Sequence, residues 1–244
     1  MRIIVCKDYG EMSLRAAELI RAQLKTKPNS VLGLPTGSTP IGTYENLAKM
    51  YGEGLIDFSQ AATFNLDEYY PIEKSNSQSY DRFMHENLFC RINVHEEMIH
   101  IPNGEAEDAD SECRAYDELI ASFGGIDLQL LGIGRNGHIG FNEPDSEGLV
   151  APTHKTSLTD DTIDANARFF ESEADVPRHA LTMGMASIMS ARKIVMLVSG
   201  ENKADALREM LSDKITSLCP ATMLKLHTDV TILCDEECYN AAIK

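Results

Sequence analysis

Basic charge is scarce in this sequence. The 22 lysines and arginines are outnumbered by 38 aspartates and glutamates, which gives a formal net charge of −16. Nucleic-acid-binding proteins usually carry a basic patch, and no cluster of lysine and arginine occurs here. The acidic balance also argues against an anionic membrane surface as a partner. A site for an anionic small molecule must therefore be built locally, from a few cations and backbone N–H groups.

Paired cysteines and long apolar runs are also missing. The six cysteines are scattered, with no CxxC pair and no zinc-ligand spacing. In a chain of this length they are interpreted as reduced, buried thiols, which suits the cytoplasm. No apolar run approaches the roughly 18 residues of a membrane span, and the run after Met1 is too short for a signal peptide. We therefore expect a cytoplasmic protein that uses no metal.

The composition is that of an ordinary globular protein, with 43% hydrophobic and 25% charged residues. Short apolar runs alternate with amphipathic stretches along the chain. The runs predict strands at 3–6, 31–34, 62–66, 128–133, 194–199 and 229–234. Helices are predicted after Asp8, after Pro40, and near 113–123, 202–211 and 236–244.

This alternation predicts an α/β fold with a mostly parallel sheet and helices on both faces. A single domain over 1–244 is the favoured interpretation, and the irregular stretch 142–178 could form a lid. In open parallel sheets, ligands bind beyond the carboxyl ends of the strands. The segments that directly follow strands are therefore the candidates for a functional site.

The first candidate segment is 34–40 (LPTGSTP). Gly37 permits a tight backbone path, and Pro40 suits the first position of a helix. Ser38 and Thr39 would lie beside free N–H groups at the helix start, which could cradle a phosphate. A plain strand–turn–helix connection with a Ser/Thr cap explains the same residues about equally well. No Gly-Lys-Ser/Thr follows, so the segment is not a P-loop.

The second candidate is the acidic pair Asp67 and Glu68, which follows an apolar strand. Side chains of adjacent residues in an extended segment point to opposite sides. Only one of the two carboxylates can therefore face a given site, where it could act as a base. A solvated turn is the alternative interpretation.

The third candidate is 132–144 (GIGRNGHIGFNEP), which contains G-x-G-x-x-G. A dinucleotide-binding fingerprint should open a helix and be followed by an acidic residue about 20 positions later, and neither applies here. The glycines instead predict a backbone pressed against a ligand. Asn136, His138 and Glu143 would be displayed beside it. One histidine and one glutamate are too few to predict a metal site.

Two cations complete the set of candidates. Lys203 lies in the first turn of a predicted helix, where the helix dipole disfavours a positive charge unless an anion binds there. Arg168 is a basic residue among apolar ones in 165–170 (ANARFF). Taken singly, each could be an ordinary surface charge.

Together these segments resemble the glucosamine-6-phosphate deaminase/isomerase family. The matching pieces, in family order, are LPTGSTP, FNLDEYY, GIGRNGHIGFNEP, ANARFF, ALTMG and SGENKADAL, from about residue 30 to 210. The resemblance implies a modified doubly wound α/β fold that works without a cofactor. It implies conversion of glucosamine 6-phosphate and water to fructose 6-phosphate and ammonium.

The resemblance also implies roles for these residues. Asp67 would move a proton between C2 and C1 of the open-chain sugar. His138 would open the pyranose ring, aided by Glu143. Some family members carry Asp at position 136, and the amide of Asn136 could still orient the imidazole N–H. The groups implied to hold the substrate phosphate are Gly37, Ser38, Thr39, Arg168 and Lys203.

Two other functions fit parts of the pattern. A 6-phosphogluconolactonase would use a similar phosphate loop, but it needs no base at C2. A non-catalytic sugar-phosphate sensor would usually be joined to a DNA-binding domain, for which this chain has no spare length. The sequence allows a homo-oligomer without predicting one. Within 145–155 only Lys155 is firmly cationic, so we expect no strong activation by N-acetylglucosamine 6-phosphate, whose site in some family members is basic.

Overall fold

The strands were located in a computed structural model, which describes residues 1–159, 163 and 176–244. In chain order they are β1 (Arg2–Cys6), β2 (Val31–Leu34), β3 (Ala62–Asn65), β4 (Asp67–Tyr70), β5 (Ile99–His100), β6 (Leu128–Leu131), β7 (His154–Ser157), β8 (His179–Thr182), β9 (Ile194–Val198) and β10 (Val230–Asp235). Within the described residues, seven of them form one parallel sheet in the order β1-β10-β9-β6-β2-β3-β5. The predicted parallel sheet is confirmed.

The helices of the described residues begin at side-chain caps or at turns that follow strands. They are α1 (Tyr9–Thr26), α2 (Ile41–Gly52), α3 (Tyr80–Asn87), α4 (Ala109–Ser122), α5 (Met185–Met189), α6 (Ala204–Leu211) and α7 (Glu236–Ala242). Asp8 caps α1 by accepting a hydrogen bond from the N–H of Glu11, as the predicted capping signal requires. Pro40 occupies the cap position of α2, one residue before the predicted site.

The side chains of β9 are all buried, and they show what covers each face of the sheet. Ile194, Met196 and Val198 pack into one apolar cluster together with side chains of α4, α6 and α7. Val195 and Leu197 pack into a second cluster together with side chains of α1, α2 and α3. Because successive side chains of a strand alternate in direction, one continuous apolar run supplies both cores. Helices therefore cover both faces, as predicted.

A second sheet was not predicted. In the described residues, β4, β8 and β7 form an antiparallel sheet, in which Asp67 is paired with Thr182. The apolar run predicted as one strand over 62–66 instead ends at Asn65, and the chain then enters β4. The strands β4 and β7 are rich in polar residues, so their sequence lacks the apolar run that marks the central strands.

The order of strands places a crevice between β2 and β6. From β2 the chain proceeds to β3 and β5 on one side, whereas from β6 it proceeds to β9 and β10 on the other. Such a reversal is where α/β proteins bind ligands, at the carboxyl ends of the strands. The lid predicted within 142–178 lies partly outside the described residues and stays a prediction. In the described part of the chain, no helix is long and apolar enough to cross a membrane.

Candidate active site

The four loops that follow β9, β6, β2 and β3 are neighbours along the carboxyl edge of the central sheet, because these strands are adjacent in that order. They contain the candidate residues that the sequence placed in separate segments. The fold therefore brings Lys203, His138, Ser38 and Asp67 to the same edge.

The loop between β2 and α2 has the shape expected of an anion cradle. Gly37 has a φ of +94°, a left-handed conformation that favours glycine. The Tyr44 hydroxyl donates a 2.5 Å hydrogen bond to the carbonyl of Pro35 and so fixes the entry of the loop. The Tyr9 hydroxyl of α1 lies 3.1 Å from the carbonyl oxygen of Thr39 and accepts a 2.8 Å hydrogen bond from the N–H of Gly42. Hydrogen bonds of Tyr9 and Tyr44 thus hold the loop in place, while Gly37 and Ser38 remain exposed to solvent.

Asp67 is a buried carboxyl without a counter-charge in the described part of the chain. Only 6% of the residue is exposed. Burial, and secondarily the neighbouring Glu68, raises the pKa of Asp67 to about 8. Neither a cation nor a hydrogen-bond donor among the described residues lowers that pKa. A carboxyl with a raised pKa in a cleft is a candidate for proton transfer.

The carboxylate of Glu68, unlike that of Asp67, is bound to the main chain. Its carboxylate accepts hydrogen bonds from the backbone N–H groups of Tyr69, Tyr80 and Asp81, at 2.9, 2.8 and 2.9 Å. It therefore caps the first turn of α3. The expectation that only one of the two carboxylates faces the site agrees with this arrangement.

The loop after β6 is shaped by its glycines. A Cβ atom on Gly134 would lie 2.4 Å from the imidazole of His138, so the ring packs directly on the glycine. Gly137 has a φ of +84°, and a Cβ there would collide with the Sγ atom of Cys219. Gly134 and Gly137 thus make room for the ring of His138 and for Cys219, and the expected contact of this backbone with a ligand stays a prediction.

His138, Glu143 and Asn136 form one cluster. The Nδ1 atom of His138 lies 3.0 Å from Oε1 of Glu143. The pair is close enough for an ion pair, but the ring is turned so that Nδ1 makes no aligned hydrogen bond. Catalytic hydrogen bonds often align only once the substrate is bound. Glu143 is therefore placed to accept a hydrogen bond from the Nδ1–H group, which would leave Nε2 to act on a ligand.

The amide of Asn136 does not contact the imidazole. Its Nδ2 atom donates a 2.7 Å hydrogen bond to Oε2 of Glu143, and its Oδ1 atom accepts one from the backbone N–H of His138 at 3.2 Å. We expected the amide to orient the ring directly; it instead orients the carboxylate that faces the ring. The local reason is that Oδ1 is already occupied by the main chain of the tight turn.

The His138 loop is joined to the strand that carries Asp67. The backbone N–H of Phe141 donates a 3.1 Å hydrogen bond to Oγ1 of Thr182, the residue paired with Asp67. A Cβ atom on Gly140 would lie 2.8 Å from Thr182 Oγ1 and 3.3 Å from Asp67 Oδ2. The carboxyl of Asp67 and the His138 loop therefore border the same space.

Lys203 lies at the start of α6 with no described carboxylate as a partner. Burial, and then the charge of Arg135, lowers its pKa. Arg135 is exposed and lies in the loop that follows β6, the strand next to β9, directly before Asn136. Two neighbouring cations without described anions suit a phosphate. Arg168 lies outside the described residues, so its role stays a prediction.

The chain is similar to known proteins over nearly its whole length. The sequence profile of the glucosamine-6-phosphate isomerases/6-phosphogluconolactonase family matches residues 9–233. The chain belongs to this family. Glucosamine-6-phosphate deaminase of Thermoanaerobacter pseudethanolicus is 56% identical over 237 residues, which are 97% of this chain and 93% of the relative. The structure of a monomeric glucosamine-6-phosphate deaminase superposes with a TM-score of 0.94 at 43% identity, covering 99% of this chain and 100% of the other.

The family also contains lactonases, and their similarity is confined to the fold. The 6-phosphogluconolactonase of Thermotoga maritima superposes with a TM-score of 0.77 at 21% identity, over 96% of this chain and 98% of its own. The fold by itself therefore does not separate the two activities named in this family.

Several contributors to the site were missed by the sequence analysis. Tyr9, Thr182 and Arg135 act on loops that lie far from them in the sequence, so local patterns do not reveal them. Glu68 was noted only as an alternative to Asp67. The motif at 180–184 (ALTMG) was noted as part of the resemblance, and its Thr182 is the residue that contacts the His138 loop.

Proposed function

We propose that the chain is a glucosamine-6-phosphate deaminase, which converts glucosamine 6-phosphate and water to fructose 6-phosphate and ammonium. The observation that carries the proposal is the position of Asp67. It is a buried carboxyl of raised pKa that borders the loop of His138 and Glu143. The 56% identity with a relative of that name supports the same activity.

His138 opens the sugar ring in this proposal. Opening a pyranose moves a proton from the O1 hydroxyl to the ring oxygen, which one imidazole can do by accepting and then donating. Glu143 compensates the charge of the imidazolium, because its Oε1 atom lies 3.0 Å from Nδ1. Asn136 holds the other oxygen of Glu143 and so fixes the carboxylate.

Asp67 performs the aldose–ketose step. Its carboxylate removes the proton from C2 of the open-chain sugar and returns it to C1. In the same step the aldehyde oxygen O1 gains a proton and the amine nitrogen loses one, which leaves a hydroxymethyl group at C1 and an imine at C2. Water adds to that carbon, and ammonia departs to give the ketose. The raised pKa of Asp67 makes the carboxylate a stronger base than an exposed aspartate would be. The ammonium group of the substrate, once bound beside it, favours its ionised form.

The phosphate of the substrate is held at the helix starts that surround the crevice. The loop of Gly37, Ser38 and Thr39 precedes α2, and its N–H groups have no acceptor in the described part of the chain. Lys203 supplies charge from the neighbouring side, and Arg168 is proposed to do the same. The cations offset the net charge of −16, which would otherwise repel an anionic substrate.

The chemistry proposed here needs only proton transfers and water, so no cofactor is assigned. We propose that the protein acts in the cytoplasm, on the basis of its scattered, mostly buried cysteines. We also propose that one chain carries a complete site. The similar deaminase structure, which is that of a monomeric enzyme, supports this.

The deciding experiment is ammonium release by the purified protein from glucosamine 6-phosphate, with a chelator and no added cofactor. The Asp67→Asn variant is the matched control for contaminating activity. Unphosphorylated glucosamine should be a very poor substrate. A second assay measures hydrolysis of 6-phosphogluconolactone. Ammonium release that survives Asp67→Asn, or lactone hydrolysis without ammonium release, would overturn the proposal.

A further inference from the structure

Glu68 has a buried carboxylate that the proposed reaction does not use. The residue is 2% exposed, and all three hydrogen bonds that it accepts come from backbone N–H groups. Burial raises the pKa of this carboxyl to about 7, and the three N–H bonds oppose that shift by stabilising the ionised form. On its side of β4 the residue borders a cavity of about 210 Å³ that is also lined by Lys74, Asp81 and Glu105. Glu68 therefore lies away from the space that Asp67 borders.

The hydrogen bonds of Glu68 connect β4 to α3, and α3 in turn supports the site. The ring of Tyr80, in the first turn of α3, packs 4.7 Å from the ring of Tyr69 on β4. The same ring is stacked at 6.3 Å on Phe141, in the His138 loop. The N–H of Tyr80 is one of the donors to Glu68. A change at Glu68 therefore reaches both the strand of Asp67 and the loop of His138.

We propose that Glu68 is a positioning residue for Asp67: its carboxylate fixes the main chain of β4 to the start of α3, so that the carboxyl of the preceding residue keeps one orientation. This inference rests on the proposed function, since it assigns Asp67 as the base. Geometry of this kind matters because a displacement of about 1 Å can lower a rate by roughly 100-fold.

The charge of Glu68 has a second effect on the same reaction. The pKa of Glu68, about 7, lies below that of Asp67, about 8, so Glu68 loses its proton first and its charge then opposes the ionisation of Asp67. Among the described residues, three sets of titratable groups face the pair. They are Asp81, Lys74 and Glu105 around the cavity, His138 and Glu143 of the loop beside Asp67, and the tyrosines Tyr44, Tyr69, Tyr80 and Tyr116. Burial raises the pKa values of these tyrosines, so they stay neutral in the assay range. Asp81 is paired with Lys74 at 3.1 Å.

The test is the Glu68→Gln variant, assayed for ammonium release across pH. Glutamine has one acceptor oxygen, which can keep the bonds from Tyr69 and Tyr80, and its amide faces the N–H of Asp81 as a second donor. We expect kcat to fall about 10- to 100-fold, with KM for glucosamine 6-phosphate little changed. The acid limb of kcat/KM should move to lower pH, because removal of the negative charge lowers the pKa of Asp67. The amine of the substrate titrates in the same way with the wild type and with Glu68→Gln, so it does not affect the difference between their pH profiles.

Ser79→Ala is the matched control, because the Ser79 hydroxyl caps the same helix by accepting a hydrogen bond from the N–H of Arg82. It weakens the start of α3 without touching Glu68. We expect its acid limb to coincide with that of the wild type. An equal shift in both variants, or wild-type kcat in Glu68→Gln, would overturn the inference while leaving the proposed function standing.

Glu68→Asp covers the case in which Glu68→Gln does not fold. The shorter side chain keeps the charge but cannot span all three N–H groups. We expect a lower kcat at an unshifted acid limb, and an unchanged kcat would overturn the inference. A wild-type protein that releases no ammonium would overturn the proposed function, and this inference with it.

Discussion

The Oδ2 atom of Asp67 lies 3.3 Å from the point at which Gly140 would carry a Cβ atom. The carboxyl and the His138 loop are thus in immediate contact across a glycine that has a φ of +58°. A larger residue at this position would be strained and would crowd the carboxyl. The carboxyl of Asp67 and the His138 loop therefore border one space, and in the proposed reaction an open-chain sugar need not leave it between the two steps.

Asp67→Asn should remove activity and add stability. We expect turnover to fall by about 10²–10⁴-fold, the usual contribution of a general base. The pKa of Asp67 is about 8 in the folded protein and about 3.9 in an unfolded chain. Between these values the folded state holds a proton that the unfolded state has lost, so the Asp67 contribution to stability falls as pH rises through this window.

The stability difference between Asp67→Asn and wild type should therefore be small near pH 4 and largest above about pH 8. A gain of about 1 kcal/mol corresponds to about 2–4 °C in Tm for a chain of this size. Thermal unfolding of both proteins at pH 5 and pH 9 measures this difference in stability. A variant that is equally or less stable at both pH values would show that the burial of Asp67 carries no such cost.

Asn136→Ala should act through Glu143 and His138. The variant loses the 2.7 Å hydrogen bond that fixes the carboxylate, while the exposed position of Asn136 makes a large loss of stability unexpected. We expect a lower kcat in the single variant. Residues that act as one unit are not additive. The double variant with His138→Gln should therefore be no slower than His138→Gln alone, and fully additive losses would show that Asn136 acts elsewhere.

Lys203→Ala should weaken substrate binding by about 1.5–3 kcal/mol, the scale of hydrogen bonds to charged groups. Arg135→Ala should give a smaller increase in KM, because Arg135 is exposed. The matched control is Lys193→Ala, which removes the same charge just before β9, at the opposite edge of the sheet from Lys203. KM is measured for each variant at low and moderate salt. A rise in KM for Lys193→Ala equal to that of Lys203→Ala would indicate a general effect of charge instead of a phosphate site.

The kinetics should be hyperbolic and insensitive to N-acetylglucosamine 6-phosphate. Lys155, the cation expected to remain in the 145–155 segment, lies over the ring of Tyr70 with its Nζ atom 5.0 Å from the ring centre. Asp145 and Glu147 in the same segment would repel a phosphate. An activator needs different affinities for two states. Initial rates with and without this sugar phosphate decide the matter, and a sigmoidal curve that becomes hyperbolic on its addition would contradict the prediction.

The sequence by itself determined the central sheet and the location of the candidate site. Apolar runs such as 194–199 predict buried strands because both faces of a parallel sheet are covered. Since parallel strands place their carboxyl ends at one edge, the segments at 34–40 and 132–144 could be assigned to a site before any coordinates were known. The resemblance of these segments to a deaminase family supplied the reaction.

Only the tertiary structure decided which groups meet. The antiparallel pairing of β4 with β8 places Thr182 beside Asp67, and the polar sequence of β4 carries no strand signal. Asn136 contacts Glu143 and not the imidazole because its one amide oxygen already accepts a hydrogen bond from the backbone N–H of His138. The role of Glu68 depends on a helix that starts more than ten residues later. Local periodicity reports burial along one element, whereas contacts between elements depend on strand order and loop conformation, which no short stretch of sequence encodes.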